Sequence, residues 1–159
     1  MKAIVNTGPN RLELQDLPLP EPGPGQVRIR TAACGICATD LEMIAGWKRT
    51  GFPAIPGHEW AGVVDAAGPG GDTSLIGRLC VAENVLSVGG EVGFEHPGGY
   101  AECFLPEARN LHYLPLGFPA ASAALVEPLA VCIRGLQRVR WNDQDRVVIF
   151  GDGPIGLLM

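Results

Sequence analysis

The side chains best suited to chemistry near the start of the chain are two cysteines in a C-x-x-C pair, Cys34 and Cys37. A single pair of this kind is compatible with half of a zinc ribbon, with a redox-active dithiol, or with buried thiols. A ribbon requires a second pair, but the other cysteines, Cys80, Cys103 and Cys132, stand singly. A redox pair is expected at the start of a helix in a βαβ unit, whereas this pair follows a predicted strand. The pair alone therefore favours a metal ligand or buried thiols over a zinc ribbon or a redox pair, without deciding among them.

A second candidate is the Gly57-His58-Glu59 segment, which follows a proline-containing turn and precedes a predicted strand. Imidazole is a common zinc ligand, and a neighbouring carboxylate can bind the metal or support the ligands around it. Taken alone, His58 is more typical of a hydrogen-bonded polar residue than of a metal ligand. His96 and His112 lie in turn or edge contexts without neighbouring thiols, and we interpret both as structural.

The third candidate is Glu127, which lies among apolar residues directly before Pro128. A carboxylate at the beginning of a helix is stabilised by the helix dipole, by about 0.3–1 kcal/mol. In apolar surroundings an ionised carboxylate is nevertheless costly unless a cation meets it. Glu127 is therefore either a helix-terminal carboxylate or a group that faces a cation such as zinc.

Short strands and turns are the elements that must bring these side chains together. The 159 residues include 22 glycines and 14 prolines, which favours a turn-rich β architecture over a helical bundle. Apolar and alternating runs predict strands over residues 2–6, 12–17, 26–33, 62–67, 78–83 and 99–105, and helices over residues 39–46, 120–126 and 128–139. Pro128 is predicted at the first position of the last helix, where its missing N–H costs nothing. The apolar run 145–150 is typical of a buried parallel strand and leads into a glycine-rich turn.

Composition excludes several classes of protein. The formal net charge is −5 and the isoelectric point is about 5.1, so the chain lacks the basic surplus of a nucleic-acid binder. Its most apolar stretch, residues 118–136, is interrupted by charged residues and prolines, which argues against a membrane span. An odd number of cysteines, 5, without a secretory signal favours reduced thiols and a cytoplasmic location over a disulfide framework.

Taken in order, the motifs resemble those of the zinc-dependent alcohol dehydrogenases of the medium-chain dehydrogenase/reductase superfamily. They are Cys-Gly-Ile-Cys-Ala-Thr-Asp, Gly-His-Glu-Trp-Ala-Gly-Val-Val, Glu-Pro-Leu-Ala-Val and Gly-Asp-Gly-Pro-Ile-Gly. The resemblance covers nearly the whole chain, and the Glu-Pro-Leu variant is similar to the polyol and threonine dehydrogenase branches. It implies a mainly β fold with short helices, in which a GroES-like, partly open β-barrel precedes the first strand and glycine turn of a Rossmann domain. The implied activity is hydride transfer between an alcohol or polyol and NAD or NADP.

Carried over residue by residue, the resemblance implies that Cys37 and His58 bind one catalytic zinc. Glu59 is implied as a third ligand or as a group close beside the metal. Glu127 is implied as the remaining ligand or as the group that holds a zinc-bound water. Between Glu83 and Gly99 the chain has no cysteine, so we expect the family's optional structural zinc to be absent.

The resemblance also implies roles for residues that do not bind the metal. Thr39 would relay the proton of the substrate, and Asp40 would orient His58 through its other ring nitrogen. The glycines that match the dinucleotide fingerprint are Gly151, Gly153 and Gly156.

By the same resemblance, residues 1–116 form a GroES-like catalytic domain, residues 117–144 connecting helices, and residues 145–159 the start of an incomplete Rossmann domain. We therefore expect the front part of a longer protein, inactive without the rest of its cofactor site. The expected partners are a small alcohol or polyol and either a missing C-terminal half or further copies in a homo-oligomer. No nucleic-acid or membrane partner is expected.

Two alternative functions stay open from the sequence. The first is a zinc-free member of the same superfamily, similar to quinone reductases, which chelator-insensitive activity would favour. The second is a non-enzymatic β-domain that binds a partner through its apolar strand at residues 145–150. A specific co-purifying protein would favour this second alternative.

Overall fold

The structure is a computed structural model that describes residues 1–159, and most of its regular elements are short strands. The strands are β1 (Lys2–Gly8), β2 (Arg11–Asp16), β3 (Val27–Cys34), β4 (Trp60–Ala67), β5 (Leu79–Ala82), β6 (Cys103–Phe104) and β7 (Leu111–Tyr113). The helices are α1 (Ala38–Ala45), α2 (Ala120–Ala123), α3 (Val126–Leu136) and α4 (Pro154–Leu158), and 3-10 turns span Thr73–Leu75 and Ala108–Asn110. The prediction of a mainly β fold with short helices is confirmed.

The strands are arranged in two open sheets. β1 and β2 form an antiparallel hairpin, and the remaining strands form a five-stranded sheet in the order β6-β3-β4-β5-β7. Every neighbouring pair in the larger sheet is antiparallel. The expected, partly open barrel is therefore realised as open sheets without closure.

The centre of the larger sheet carries the main hydrophobic core. Along β3, Val27 and Ile29 are buried while Arg28 and Arg30 point away, as the period of two in a strand requires. The members of this core are Val27, Ile29, Trp60, Val64, Cys80, Leu86, Val92, Phe104 and Leu111. Two of them, Leu86 and Val92, come from the long connection after β5, so the core extends beneath this loop.

The helices follow the predicted positions with small shifts. α1 ends at Ala45 because Gly46 adopts a left-handed conformation with φ of 110°, which favours glycine at the end of a helix. α3 begins at Val126, so Pro128 is its third residue. The predicted first position is therefore wrong. The shift is tolerated because the N–H groups of the first helical turn have no partner within the helix.

The predicted strand over residues 99–105 is reduced to Cys103–Phe104. The N–H groups of Gly99 and Tyr100 bond instead to the carbonyls of Gly57 and Pro56, at 2.8 and 3.1 Å. These bonds tie the segment to the loop before β4. Before β6 begins, the segment makes only an isolated antiparallel bridge, between Ala101 and Ala3 of β1.

The prediction of a strand at residues 145–150 is wrong for this chain. The segment is extended but outside any sheet, and Val148 and Phe150 are 72% and 95% exposed. A strand requires a neighbouring segment to complete its hydrogen-bond ladder, and neither of the two sheets includes a strand that pairs with this segment. An apolar run by itself is therefore not sufficient to predict a strand.

No helix of the chain combines the length and the apolar character required to cross a membrane.

Candidate metal centre

The pairing of β3 with β4 brings the two motif segments to one end of the larger sheet. Cys34, the last residue of β3, pairs with Trp60, the first residue of β4. Cys37 then caps the N-terminus of α1, and His58 lies just before β4. Gly35 N–H donates to the Glu59 carbonyl at 2.8 Å and holds the two segments together beyond the sheet. Residues distant in sequence thus become neighbours.

Cys37, His58 and Glu59 form a cluster of potential metal ligands. One sulfur, one imidazole nitrogen and one carboxylate oxygen all lie within 4.8 Å of one another. Thiolate, imidazole and carboxylate are the groups that bind zinc in proteins, and three protein ligands are typical of a catalytic site. The donor set and its spacing therefore fit a zinc ion.

Asp40 lies directly behind this cluster and is fully buried. Its Oδ1 is 3.2 Å from His58 Nδ1 and accepts the Gly57 N–H at 3.3 Å. Its Oδ2 accepts the Cys37 N–H at 2.8 Å and the Tyr100 hydroxyl at 3.2 Å. These donors satisfy the buried carboxylate, and the contact with Nδ1 leaves His58 Nε2 available to a cation.

The same arrangement shifts the ionisation of the pair. Burial alone would lower the pKa of His58, but the hydrogen bond and negative charge of Asp40, together with a contribution from Cys37, raise it to about 9. For Asp40, burial acts to raise the pKa, and the bonds from His58 and the backbone outweigh it and lower the value. In a metal-free chain at neutral pH, these pKa shifts favour the charged forms of both groups, an imidazolium beside a carboxylate.

Thr39 and Glu127 line the same cavity of about 330 Å³ as the cluster. Thr39 Oγ1 lies 3.6 Å from Cys37 Sγ. Glu127 enters from α3 and is half-buried, and burial raises the pKa of its carboxyl group, with the charge of His58 acting in the opposite direction. Glu127 thus lies on the cavity wall and outside the group of mutually close ligand atoms.

Of the remaining cysteines and histidines, none belongs to the cluster. Burial, followed by the charges of Asp40 and Glu59, raises the pKa of the Cys34 thiol to about 12. His96 Nε2 contacts the Gly89 carbonyl at 2.8 Å, and His112 lies on β7 beside a second, adjoining cleft of about 630 Å³. The two motif cysteines therefore differ, since only Cys37 faces the potential metal site.

Sequence analysis missed two neighbours of His58, Asn84 and Phe94. The Phe94 ring lies 4.7 Å from the His58 ring between centroids, and Asn84 Nδ2 donates to the His58 carbonyl at 2.8 Å. Both residues belong to the connection between β5 and β6, where no residue pattern points to a site. Only the folded path of this loop brings them to the cluster.

The glycine-rich turn after residue 150 approaches the same cavity. Gly151 has φ of 104°, and a Cβ atom on Gly156 would collide with the Gly151 carbonyl oxygen. Both positions therefore require glycine. α4 follows Gly153 and contributes Ile155 to the wall of the cavity that the cluster residues also line.

Comparison with known proteins places this geometry in a family. The model of the alcohol dehydrogenase GroES-like domain matches residues 23–116. A sorbitol dehydrogenase from Halalkalibacterium halodurans is 31% identical, over 99% of this chain and 52% of the relative. A D-altritol 5-dehydrogenase from Agrobacterium fabrum is 32% identical, over 100% of this chain and 53% of the relative.

Solved structures agree with the sequence comparison. The acetophenone reductase from Geotrichum candidum, in complex with NAD, superimposes with a TM-score of 0.90 at 29% identity, over 99% of this chain and 52% of that structure. The chain thus spans about half the length of the relatives it matches. Since the family model covers most of residues 1–159, this chain belongs to the family of alcohol dehydrogenase GroES-like domains.

Proposed function

We propose that this chain is the zinc-binding part of an NAD- or NADP-dependent dehydrogenase that acts on an alcohol or polyol. The main support is the convergence of Cys37, His58 and Glu59, whose ligand atoms lie within 4.8 Å of one another. The names of the relatives, among them sorbitol and D-altritol dehydrogenases, support a polyol as the substrate class.

Cys37, His58 and Glu59 are the proposed zinc ligands. Glu127 lies on the wall of the same cavity and is proposed to hold a water or substrate hydroxyl, because its carboxylate is not among the close ligand atoms. When bound, zinc supplies Lewis-acid polarisation of a substrate hydroxyl group. Asp40 keeps His58 oriented through Nδ1.

Thr39 is the proposed carrier of the substrate proton. Its hydroxyl lies beside Cys37 Sγ and on the cavity wall, so a substrate hydroxyl that enters the cavity is within its reach. Thr39 Oγ1 accepts that proton while its own hydroxyl proton passes on towards solvent. A hydroxyl group suits this relay because it donates and accepts at the same atom.

Gly151, Gly153 and Gly156 are proposed to let the cofactor's pyrophosphate approach the backbone closely. The contribution of Ile155 to the cavity supports a cofactor site next to the proposed metal site. The collision that a Cβ on Gly156 would cause with Gly151 supports the tight turn that the fingerprint requires. A nicotinamide cofactor held at these glycines would supply the acceptor for the hydride of the substrate carbon. We also propose the division into a catalytic domain at residues 1–116, connecting helices at 117–144 and the start of a nucleotide-binding domain at 145–159.

Metal analysis of the purified chain tests the zinc site. We expect about one zinc ion per chain, with the metal lost in Cys37→Ser and in His58→Ala. Cys34→Ser is the matched control, because its thiol belongs to the same motif but lies outside the cluster. A wild-type chain without zinc, or equal zinc contents in Cys37→Ser and Cys34→Ser, would contradict the proposed site.

The dehydrogenase activity is tested on the natural full-length protein that contains this chain. We expect polyol-dependent reduction of NAD or NADP that stops when a chelator removes zinc and returns when zinc is added. Turnover that is insensitive to the chelator would favour a zinc-free reductase instead.

A further inference from the structure

Asn84, in the connection between β5 and β6, holds the backbone of His58. We propose that Asn84 is a positioning residue for the metal site, acting through the carbonyl group of His58. This inference rests on the proposed role of His58 as a zinc ligand. Neither the motifs nor the matched fingerprint glycines include Asn84.

Both ends of the Asn84 amide are engaged. Nδ2 donates to the His58 carbonyl at 2.8 Å, and Oδ1 accepts the Trp60 indole N–H at 2.8 Å. Trp60 is 2% exposed and belongs to the main core, so its indole is a rigid anchor. The bond from Trp60 therefore holds the plane of the Asn84 amide, and the amide in turn holds the His58 carbonyl in position.

The loop that carries Asn84 is itself held in place. The Val92 N–H donates to the Asn84 carbonyl at 2.9 Å, and Val92 is fully buried. Arg49 bonds to Glu91 at 2.8 Å and to Glu95 at 2.6 Å. Asn84 thus belongs to a segment that a backbone hydrogen bond and two ion pairs tie to the rest of the fold.

The same segment also packs against the His58 ring. Phe94 lies 4.7 Å from that ring, and the Arg49 guanidinium lies 4.4 Å from the Phe94 ring on a cation–π contact. His58 is therefore restrained through Asp40 at Nδ1, through Asn84 at its carbonyl, and through Phe94 at its ring. Since Glu59 is the next residue, loss of the carbonyl contact is expected to move both proposed ligands together.

Zinc affinity and the histidine NMR signals of the purified chain test this role. In Asn84→Ala, we expect zinc affinity to fall about 10–100-fold, as for other residues that orient metal ligands. We also expect the His58 imidazole ¹⁵N shifts of the metal-free chain to move. The chain has 3 histidines, so the His58 signals are assigned by their loss in His58→Ala.

Asn110→Ala is the matched control. Asn110 Nδ2 donates to the Val85 carbonyl at 2.7 Å, so this variant removes an equivalent bond to the same loop without touching His58. We expect wild-type affinity and His58 shifts in this variant. Equal effects of Asn84→Ala and Asn110→Ala, or no effect of either, would overturn the positioning role.

If Asn84→Ala does not fold, Arg49→Lys provides the test, because lysine cannot bridge Glu91 and Glu95 in the same way. We expect the His58 shifts to move and zinc affinity to fall about threefold or more. Arg28→Lys is its control, since Arg28 also pairs with two carboxylates, Asp65 and Glu21. No difference between the two variants would overturn the role of the loop. A wild-type chain that binds no zinc would instead contradict the proposed function itself.

Discussion

The carboxylate of Asp40 lies 3.2 Å from His58 Nδ1, and both side chains are buried at the junction of α1 and β4. This contact determines which ring nitrogen of His58 remains available for a metal. It also depends on backbone N–H groups of Cys37 and Gly57, which bind the same carboxylate. The proposed zinc site is thus organised around an acidic group that is not itself one of the clustered ligands.

Substitution Asp40→Asn tests the orienting role of this carboxylate. We expect zinc affinity to fall about 10–100-fold, because the amide lacks the charge and one of the acceptor atoms that hold His58 and the backbone. Competition with a chromophoric chelator measures the change. Asp16→Asn is the control, since the Asp16 side chain is 80% exposed. Equal affinities of the two variants would argue against an orienting role.

The two glutamates near the cluster are expected to differ in their effect on zinc binding. Glu59→Gln removes a proposed ligand and should lower the affinity for zinc by more than about 100-fold. Glu127→Gln should lower this affinity by less than about tenfold. The same chelator competition compares them. A larger loss in Glu127→Gln would show that Glu127, and not Glu59, completes the ligand set.

Gly57→Ala is expected to disturb both the fold and the site. An added Cβ would lie 2.6 Å from Tyr100 Cδ1, and φ at this position is 100°. Tyr100 also donates to Asp40, so its displacement reaches the metal site. We expect the free energy of unfolding to fall by about 2–4 kcal/mol, from backbone strain and overpacking together.

Gly117→Ala is the control for that substitution. Gly117 also has a positive φ, 79°, but a Cβ there meets no atom within 4 Å. Gly117→Ala should lower the free energy of unfolding only through backbone strain, by about 1–2 kcal/mol. Urea unfolding in the presence of a chelator measures both variants, and equal losses would mean that the contact with Tyr100 is unimportant.

Phe104→Ala tests the main core. Phe104 is 1% exposed and packs edge-on against Trp60 with ring centroids 4.8 Å apart. Removal of the ring leaves a cavity in the sheet and should lower the free energy of unfolding by about 3–5 kcal/mol. Leu14→Ala on the exposed face of β2 should change it by less than about 0.5 kcal/mol. Urea titration distinguishes the two, and similar losses would contradict the assigned core.

Stability should decline in alkaline solution because of Cys80. Burial raises the pKa of this thiol to about 12, above its value in the unfolded chain. Below a pH of about 8.5, the thiol is protonated in both the folded and the unfolded chain, and the free energy of unfolding does not change with pH through this group. As the pH rises from there towards 12, only the unfolded chain releases the proton, and the free energy of unfolding falls.

Comparison of wild type with Cys80→Ala isolates this effect under reducing conditions. Between pH 7.5 and pH 10, the wild type should lose about 1.5–2 kcal/mol more of its free energy of unfolding than the variant. Urea titrations at the two pH values measure the loss. If wild type and Cys80→Ala differ in free energy of unfolding by the same amount at both pH values, the result would contradict a buried, neutral thiol at this position.

Local patterns were sufficient where a short segment determines its own conformation. The helix over residues 39–46 was predicted within one residue, because the apolar spacing and Gly46 specify its face and its end. The strand at residues 145–150 was predicted wrongly, because apolar character indicates burial only when other segments are present to cover it. The strand over residues 99–105 was shortened because its N–H groups bond to the loop before β4.

The sequence alone determined the identities of the potential ligands, because thiol, imidazole and carboxylate groups are chemically suited to zinc wherever they lie. The tertiary structure alone decided which of them meet: Cys37 joins His58 and Glu59, while Cys34 packs against the main core and Glu127 stays on the cavity wall. It also decided that Asn84 and Phe94 support His58. The reason is that ligand geometry depends on strand register and on the path of a long loop. Both are settled by contacts between distant segments, which no local pattern of residues records.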